Sequence, residues 1–356
     1  MWHSAQAKSP QEAGKALEFG YDEHFYIKRA DGLFSFQLKW LLQPRYEYRH
    51  TEGGAANVNT FTLNSETYYE GNVLYPKLDY YISYTMAATS GGLVAGIDRA
   101  TFDLRDAWIN WKPEKYFNLK IGQFFLFFDH EDMQRTWFLQ LVDRSIISTN
   151  LGFERELGIN LQGWIFNDLI FYNAHVMNGE GRHQSNANTS FLVGGRLDFS
   201  LLGKHYAIVP DFMHSQKPQL NIGVAGLNSR NNSVNGNTLY HLTSDVGFRY
   251  LGFSFLGLAN GVHNKNKRKT DFGYMIQCGY FFIPRYLEVA ARYAKVNKDA
   301  ALGTATYDPE EATLGISYYF QAAPHLVWKF EVSRLWNNGA SHQNDYRSRT
   351  QLSMFF

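Results

Sequence analysis

The sequence is short of cysteine, of net charge and of long apolar runs, and each shortage excludes a class of protein. A single cysteine, Cys278, in 356 residues permits no internal disulfide. The 34 basic residues balance 33 acidic ones, and a net charge of +1 excludes a chain that binds nucleic acid through its overall charge. The mean hydropathy is −0.36, and no run approaches the roughly 18 apolar residues of a membrane-spanning helix. A helical membrane protein is therefore excluded.

Aromatic side chains, in contrast, are abundant, with 28 Phe, 23 Tyr and 8 Trp making up 17 % of the chain. Such a content is typical of the aromatic girdles that a transmembrane β-barrel places at both membrane interfaces. From about residue 33 to the end, apolar and polar side chains alternate with a period of two, which indicates strands. The sequence therefore predicts an all-β fold, a transmembrane antiparallel β-barrel, in which Cys278 is a small residue that faces lipid.

The last segment, residues 346–356, reads YRSRTQLSMFF and has the pattern of a closing barrel strand. Its polar positions fall on one face, and the other face ends on the aromatic Phe356. We expect this strand to pair with the one that starts near Leu33, and Phe356 to be offered to the barrel-insertion machinery. The alternative is a soluble β-sandwich that ends in a strand.

The breaks between strands alternate between short and long, as in outer-membrane barrels, whose short turns face the periplasm. Long, polar breaks lie near residues 49–57, 88–100, 127–154, 179–188, 228–237, 263–268, 297–309 and 338–345. Eight long loops predict about sixteen strands, with both termini at the periplasmic rim. Residues 202–217 are long where a short turn is due, and a strand pair there would raise the count to eighteen.

The first residues are predicted to lie outside the barrel. Residues 1–24 are polar and read as a flexible N-terminal segment or a short helix with no role in the pore, whereas residues 25–356 form the barrel. Residues 5–7, Ala-Gln-Ala, resemble the end of a signal peptide without its apolar core. We expect a nearly mature chain in the outer membrane of a Gram-negative bacterium.

Residues 127–154 form the longest break, between the fifth and sixth strands, and mix Trp137 and Leu141 with many charges. An external loop would leave this apolar surface in contact with water. The loop is therefore predicted to fold inward as the third loop and to constrict the pore. Its candidate channel charges are Asp129, His130, Glu131, Asp132, Arg135, Asp143 and Arg144. Three alternatives stay open: an external solvated loop, a divalent-ion site at residues 129–132, and a catalytic base at His130. We predict no cofactor and no metal.

The strand phases also predict which wall residues line the pore. They are Lys39, Arg45, Lys120, Glu156, Arg196, Arg249, Arg292, Lys329, Arg347 and Arg349. Further inward acidic residues nearly balance these cations, so the sequence predicts a general or mildly anion-preferring pore. We expect neutral amides at Asp129, Glu131 and Asp132 to shift its permeability toward anions. The basic residues 264–269 are predicted to face outward, toward the phosphates of lipopolysaccharide or solvent.

Four segments resemble the phosphate-selective porin O and P family: residues 119–124 (LKIGQF), 155–159 (RELGI), 177–181 (MNGEG), and 273–281 (GYMIQCGYF) leading into 288–293. The resemblance implies a sixteen-stranded trimeric porin whose third loop narrows the pore. Two departures stand against phosphate selectivity. The family commonly has Lys and Pro where this chain has Phe125, Leu126 and Phe127, and often paired arginines where it has residues 64–67 (NSET).

The sequence therefore predicts an outer-membrane porin through which small hydrophilic solutes or ions diffuse passively, with lipid as its surroundings and no nucleic-acid partner. One rival is an outer-membrane barrel enzyme of the protease or lipase type, for which His130 with Ser145 is the pair to inspect. The other is a structural or adhesive barrel with a plugged lumen.

Overall fold

The protein is described by a computed structural model that covers residues 16–53, 57–85, 102–186, 189–206, 208–231, 236–303, 308–322, 324–337 and 344–356. Among these residues the chain forms eighteen antiparallel strands, in agreement with the two-residue alternation. Their bounds are β1 Leu17–Asp22, β2 His24–Arg29, β3 Phe34–Thr51, β4 Val58–Val73, β5 Leu78–Thr85, β6 Asp103–Glu114, β7 Phe117–Phe125, β8 Arg155–Ile165, β9 Ile170–Met177, β10 Leu192–Leu202, β11 Gln219–Asn231, β12 Asn237–Tyr250, β13 Phe253–Asn264, β14 Lys269–Ile283, β15 Leu287–Asn297, β16 Pro309–Tyr319, β17 Leu326–Asn337 and β18 Asn344–Phe355.

Sixteen of the strands, β3 to β18, close into a barrel. Each pairs with the next along the chain, and β18 returns to pair with β3 from Asp345 opposite Thr51 to Phe355 opposite Leu41. Among the described strands of the ring, each pairs with a neighbour on both sides, as a lipid environment requires because it offers no hydrogen-bond partners. The prediction of about sixteen strands, closed by the last one, is confirmed.

The other two strands form a hairpin outside the ring, and two predictions about the chain's start are wrong. Strand β2 pairs with the lower part of β3, with Phe25 opposite Leu38, and β1 pairs with β2. Residues 17–22 are thus a strand rather than part of a flexible segment, and the closed ring begins at Phe34 rather than at residue 25. The predicted signal-peptide remnant at residues 5–7 lies outside the described residues, as does the break at 88–100.

The outer surface of the barrel is apolar. On β17, Trp328 and Phe330 are 39 % and 38 % exposed, whereas the intervening Lys329 is 1 % exposed. This difference follows from the period of two, which sends successive side chains to opposite faces of the sheet. The free thiol of Cys278 lies on the outer face of β14, between the buried Gln277 and Gly279. None of the helices among the described residues is long and apolar enough to span a bilayer.

Two connections fold into the lumen. Between β7 and β8, the constriction loop (residues 127–154) carries the short helix α1, Ile146–Leu151, whose N-terminus is capped by Ser145. Between β10 and β11, the described residues of 203–218 contain no strand, so this segment, here called the long turn, does not hold the pair that would have made eighteen barrel strands. Its side chains Tyr206, Val209 and Phe212 are buried.

Together the two connections build an apolar core inside the barrel, here called the plug. It consists of Ile147, Leu151, Val209, Leu239, Leu256, Leu258, Val262, Met275, Ala294 and Val296. Two of these residues come from α1, one from the long turn, and the rest from the inner faces of β12 to β15. Burying each such Leu, Ile or Val side chain stabilises the docked loop by about 1.5–3 kcal/mol.

Candidate functional site

The constriction loop is held inside the barrel by ion pairs and hydrogen bonds to distant strands. Arg292 on β15 contacts Glu131 Oε1 at 3.3 Å and donates to the backbone oxygen of Asp143 at 2.9 Å. Gln140 donates to Glu288 Oε1 at 2.5 Å and to Ser254 Oγ at 2.7 Å. These groups are buried, so their partners must stay in place or leave unsatisfied polar atoms. The predicted inward folding of residues 127–154 agrees with this geometry.

The acidic cluster 129–132 serves this anchoring and does not face open water. Asp129, His130, Glu131 and Asp132 are at most 4 % exposed. Asp129 accepts a hydrogen bond from Asn260 at 2.8 Å, and burial together with the Glu131 carboxylate raises the pKa of Asp129 to about 6. Burial and Asp129 likewise raise the pKa of Asp132. Our interpretation of Asp129, His130 and Glu131 as channel charges is therefore wrong, whereas Asp132 borders the open cavity.

Inward-facing glycines mark where the loop meets the wall. A Cβ added to Gly315 on β16 would lie 2.6 Å from Leu141 Cδ2, and one added to Gly279 on β14 would collide with the Gln140 amide. Any larger residue would push the loop away, because real side chains do not approach this closely. Sequence reasoning missed this signal: glycine at polar-phase strand positions indicates that another chain segment approaches closely.

The long turn supports the loop from the opposite rim and was also missed. Its Val209 amide donates to Gln134 Oε1 of the loop at 3.1 Å. Arg249 on β12 donates to the backbone oxygen of Ile208 at 3.2 Å and lies 3.7 Å from the ring centre of Tyr206. The signal available in the sequence was the length of this segment and its apolar residues at a place where a short polar turn is usual.

The interior is consequently divided into two sides. On the filled side, the inner faces of β12 to β15 carry plug residues and are covered by α1 and the long turn. On the open side, the wall from β4 to β8 and the loop enclose a cavity of about 160 Å³. Its lining includes the cations Arg105, Lys120, Arg135, Arg144 and Arg155, the acids Glu66, Asp106 and Asp132, and the rings of Tyr68, Tyr81, Trp108, Phe124, Phe125, Phe127 and Trp137.

Two of the five cations have no carboxylate partner in the described part of the chain. Three are paired: Arg155 with Asp106 at 3.0 Å, Arg105 with Glu66 at 3.7 Å, and Arg144 with Asp132 at 3.8 Å. Lys120 instead lies 4.5 Å from the ring centre of Trp108. Arg135 donates to the Tyr81 hydroxyl at 3.0 Å and lies over three aromatic rings. The cavity thus has an excess of positive charge.

A further carboxylate of the loop, that of Asp143, is neutralised by two guanidinium groups. Asp143 pairs with Arg45, Nη2 to Oδ1 at 2.7 Å, and with Arg349. Burial would raise the pKa of the Asp143 carboxyl, but the guanidinium groups of Arg349 and Arg45 outweigh burial and lower it below its usual range. Asp143 therefore stays ionised between two cations and contributes little net negative potential.

All ten predicted wall residues point to the inner side, but they have different surroundings. Arg196 is enclosed by Asp198 and Asp245, Lys329 donates to the backbone oxygen of Leu139, and Glu156 accepts from the Gly179 and Gly181 amides. Lys39 pairs with Glu70, and Arg347 lies 3.7 Å from Asp345. Lys120 borders the cavity. Alternation thus fixes which way a side chain points but not what it meets.

Among the described residues, no arrangement of side chains supports the enzyme alternative or the metal alternative. Ser145 Oγ donates to Glu131 Oε2 at 2.6 Å and not to His130. The nearest carboxylate to His130 Nδ1 is that of Asp245, at 3.8 Å. Burial lowers the pKa of His130 to about 4. In the described part of the chain, no group of three or more His, Cys, Asp or Glu is arranged to hold a metal ion.

Comparisons with known proteins agree with the barrel. The family model of the phosphate-selective porins O and P matches residues 70–207, which confirms the resemblance read from the motifs. No match is found among curated proteins.

Solved structures give the same fold. OmpF from Salmonella typhi in complex with daunomycin is 12 % identical, with a TM-score of 0.67 over 92 % of this chain and 99 % of that chain. The outer membrane channel DcaP of Acinetobacter baumannii is 12 % identical, with a TM-score of 0.62 over 92 % and 99 %. An anion-selective porin from Comamonas acidovorans is 12 % identical, with a TM-score of 0.59 over 90 % and 100 %. At these identities the likeness shows the fold alone. The family match and the porin fold together support a diffusion channel in the outer membrane of a Gram-negative bacterium.

Proposed function

We propose that this chain is an outer-membrane porin that passes small hydrophilic solutes down their gradients and prefers anions. The observation that carries the preference is the cavity on the open side, where Lys120 and Arg135 have no carboxylate partner in the described residues. A wall with unneutralised positive charge attracts anions and repels cations. The anion-selective porin of similar fold supports the same direction.

Solutes follow the wall of β4 to β8 because the plug fills the opposite side. The plug residues are at most 4 % exposed, whereas Arg135 of the loop is exposed. The constriction loop thus narrows the lumen from one side and presents Arg135 to the passage that remains. No bond is made or broken in this function, and the buried Ser145 has no access to a substrate.

The surroundings of the barrel are part of the proposal. Lipid covers the apolar outer face, and lipopolysaccharide phosphates meet the turn that follows Asn264, where Lys265 is exposed. The chain assembles as a homotrimer, as the family resemblance implies, and heating-dependent mobility of the detergent-solubilised protein tests this. Phe356, which exchanges backbone hydrogen bonds with Trp40, is offered to the barrel-insertion machinery.

Recordings in planar bilayers test the proposed function. The purified protein is expected to give large open steps in potassium chloride, with a reversal potential across a salt gradient that indicates chloride preference. Replacing both Lys120 and Arg135 by Gln should move the permeability ratio toward unity. The matched control is Arg334→Gln, which removes a positive charge from the outer face of β17 and should change nothing. A barrel without open steps, or one that prefers potassium, would contradict the proposal.

A further inference from the structure

The lining of the open cavity combines its two unpaired cations with stacked aromatic rings. Tyr81 and Trp108 are stacked, with ring centres 5.2 Å apart and planes within 10° of each other. Arg135 lies 5.1 Å from the centre of the Tyr81 ring, and Lys120 lies 4.5 Å from that of Trp108. Lys120 is also 5.3 Å from the ring centre of Phe127. Positive charge and aromatic surface are therefore interleaved along one wall.

A small inorganic anion would use only half of this lining. It would pair with Lys120 and Arg135, but the partly exposed rings of Trp108 and Phe127 in the same cavity would stay in contact with water. A planar anion with an aromatic body uses both, because its carboxylate meets the cations while its ring stacks on the aromatic faces. A saturated ring cannot stack in this way, because it is thicker and has no π face.

The volume of the cavity matches that of one aromatic ring. A cavity of ~150 Å³ lined by apolar side chains holds a benzene molecule. The cavity here, at about 160 Å³, is of that size and has charged groups at its wall. A single-ring carboxylate therefore fits within it.

We propose that this cavity is a binding subsite for single-ring aromatic carboxylates on their way through the pore. The inference rests on the proposed function, since the solute must be able to enter and leave the lumen. Binding is weak enough to release the solute, because a transport subsite that holds its ligand tightly blocks conduction.

Titration calorimetry of the full-length protein in detergent tests the subsite without relying on conduction. The probes are benzoate, cyclohexanecarboxylate and inorganic phosphate at one ionic strength. Benzoate is expected to bind more tightly than either, and Trp108→Leu to weaken benzoate binding by about three- to tenfold. Trp111→Leu on the same strand is the matched control, because Trp111 faces outward and should leave binding unchanged. If Trp108→Leu does not fold, Phe127→Leu takes its place: it removes another ring of the lining and should also weaken benzoate binding.

Bilayer recordings separate the subsite from the channel. In chloride, benzoate should reduce the single-channel current in a saturable way, while cyclohexanecarboxylate reduces it less. Equal effects of the two acids, or benzoate binding unchanged by loss of the ring, would overturn the subsite while open chloride steps still support the porin. Absence of open steps would instead contradict the proposed function. Selective benzoate binding in calorimetry would in that case still support the binding site in the cavity.

Discussion

The two sides of the barrel interior carry opposite chemistry, although the same two-residue alternation builds both walls. On the filled side, Leu258 and Met275 point inward and meet Ile147 and Leu151 of the loop's helix in an apolar core. On the open side, Lys120 and Arg155 point inward and border a cavity. The comparison shows that an inward side chain faces water only where no connection lies over it. Selectivity therefore depends on the few charges left uncovered.

The largest expected effect comes from breaking the loop's anchor on the filled side. Arg292→Met leaves Glu131 and Glu311 buried without their partner, and removing one member of a buried ion pair costs about 3–5 kcal/mol. We expect a clear loss of thermal stability and a larger, noisier single-channel conductance as the loop leaves the wall. Arg334→Met on the outer face is the control. An unchanged conductance would mean that Arg292 does not hold the loop.

A smaller change on the filled side adds a methyl group to the wall beneath the constriction loop. Gly279→Ala places a Cβ against the Gln140 amide and 2.9 Å from Glu288 Oε1, and overpacking of this kind costs about 1–3 kcal/mol. The melting temperature should fall. Gly261→Ala is the matched control, because its added Cβ lies 3.7 Å from the nearest atom, on the outer face of β13. Equal melting temperatures for the two variants would show that the loop does not press on Gly279.

On the open side, a charge change should affect selectivity more than stability. Lys120→Gln removes a cation that packs on Trp108 and has no carboxylate partner in the described residues. Lys120 is 8 % exposed, and loss of a cation–π contact at such a buried site costs about 2 kcal/mol, so the fold should persist. Reversal potentials should show a weaker anion preference. A large loss of stability would mean that Lys120 is structural, like the charges of the filled side.

The smallest effect is expected from a change at the rim of the barrel, away from both the filled and the open side of the lumen. Lys115 and Asp168 form an exposed ion pair at 3.0 Å, and such pairs contribute about 0–1 kcal/mol. Lys115→Gln should leave the melting temperature, the conductance and the reversal potential unchanged. A shift in selectivity from this variant would show that the field in the pore extends to the rim and is not set by the cavity.

Much of this arrangement was predictable from local patterns. The period of two placed Lys329 and Glu331 inside and Trp328 outside, because strand geometry leaves no other choice. The mixture of Trp137 and Leu141 with charges was enough to predict an inward loop. The terminal pair of phenylalanines also held a signal that we did not use: Phe355 points inward and stacks on Trp137, with ring centres 4.4 Å apart.

The roles of individual charges were not predictable, because their partners are distant in sequence. Asp129 and Asn260 are 131 residues apart, and Glu131 and Arg292 are 161 apart. No local pattern tells a solvated carboxylate from one that anchors a loop. For this reason the expected shift toward anions on neutralising residues 129, 131 and 132 is replaced by an expected loosening of the loop.

Thiol accessibility tests the division of the lumen most directly. In a Cys278→Ser background, Phe127→Cys places a thiol at the open cavity and Leu258→Cys places one in the plug. A negatively charged thiol reagent added to the bilayer chamber should lower the current through Phe127→Cys and leave that through Leu258→Cys unchanged. Rapid modification of Leu258→Cys with no effect on Phe127→Cys would contradict a path along β4 to β8.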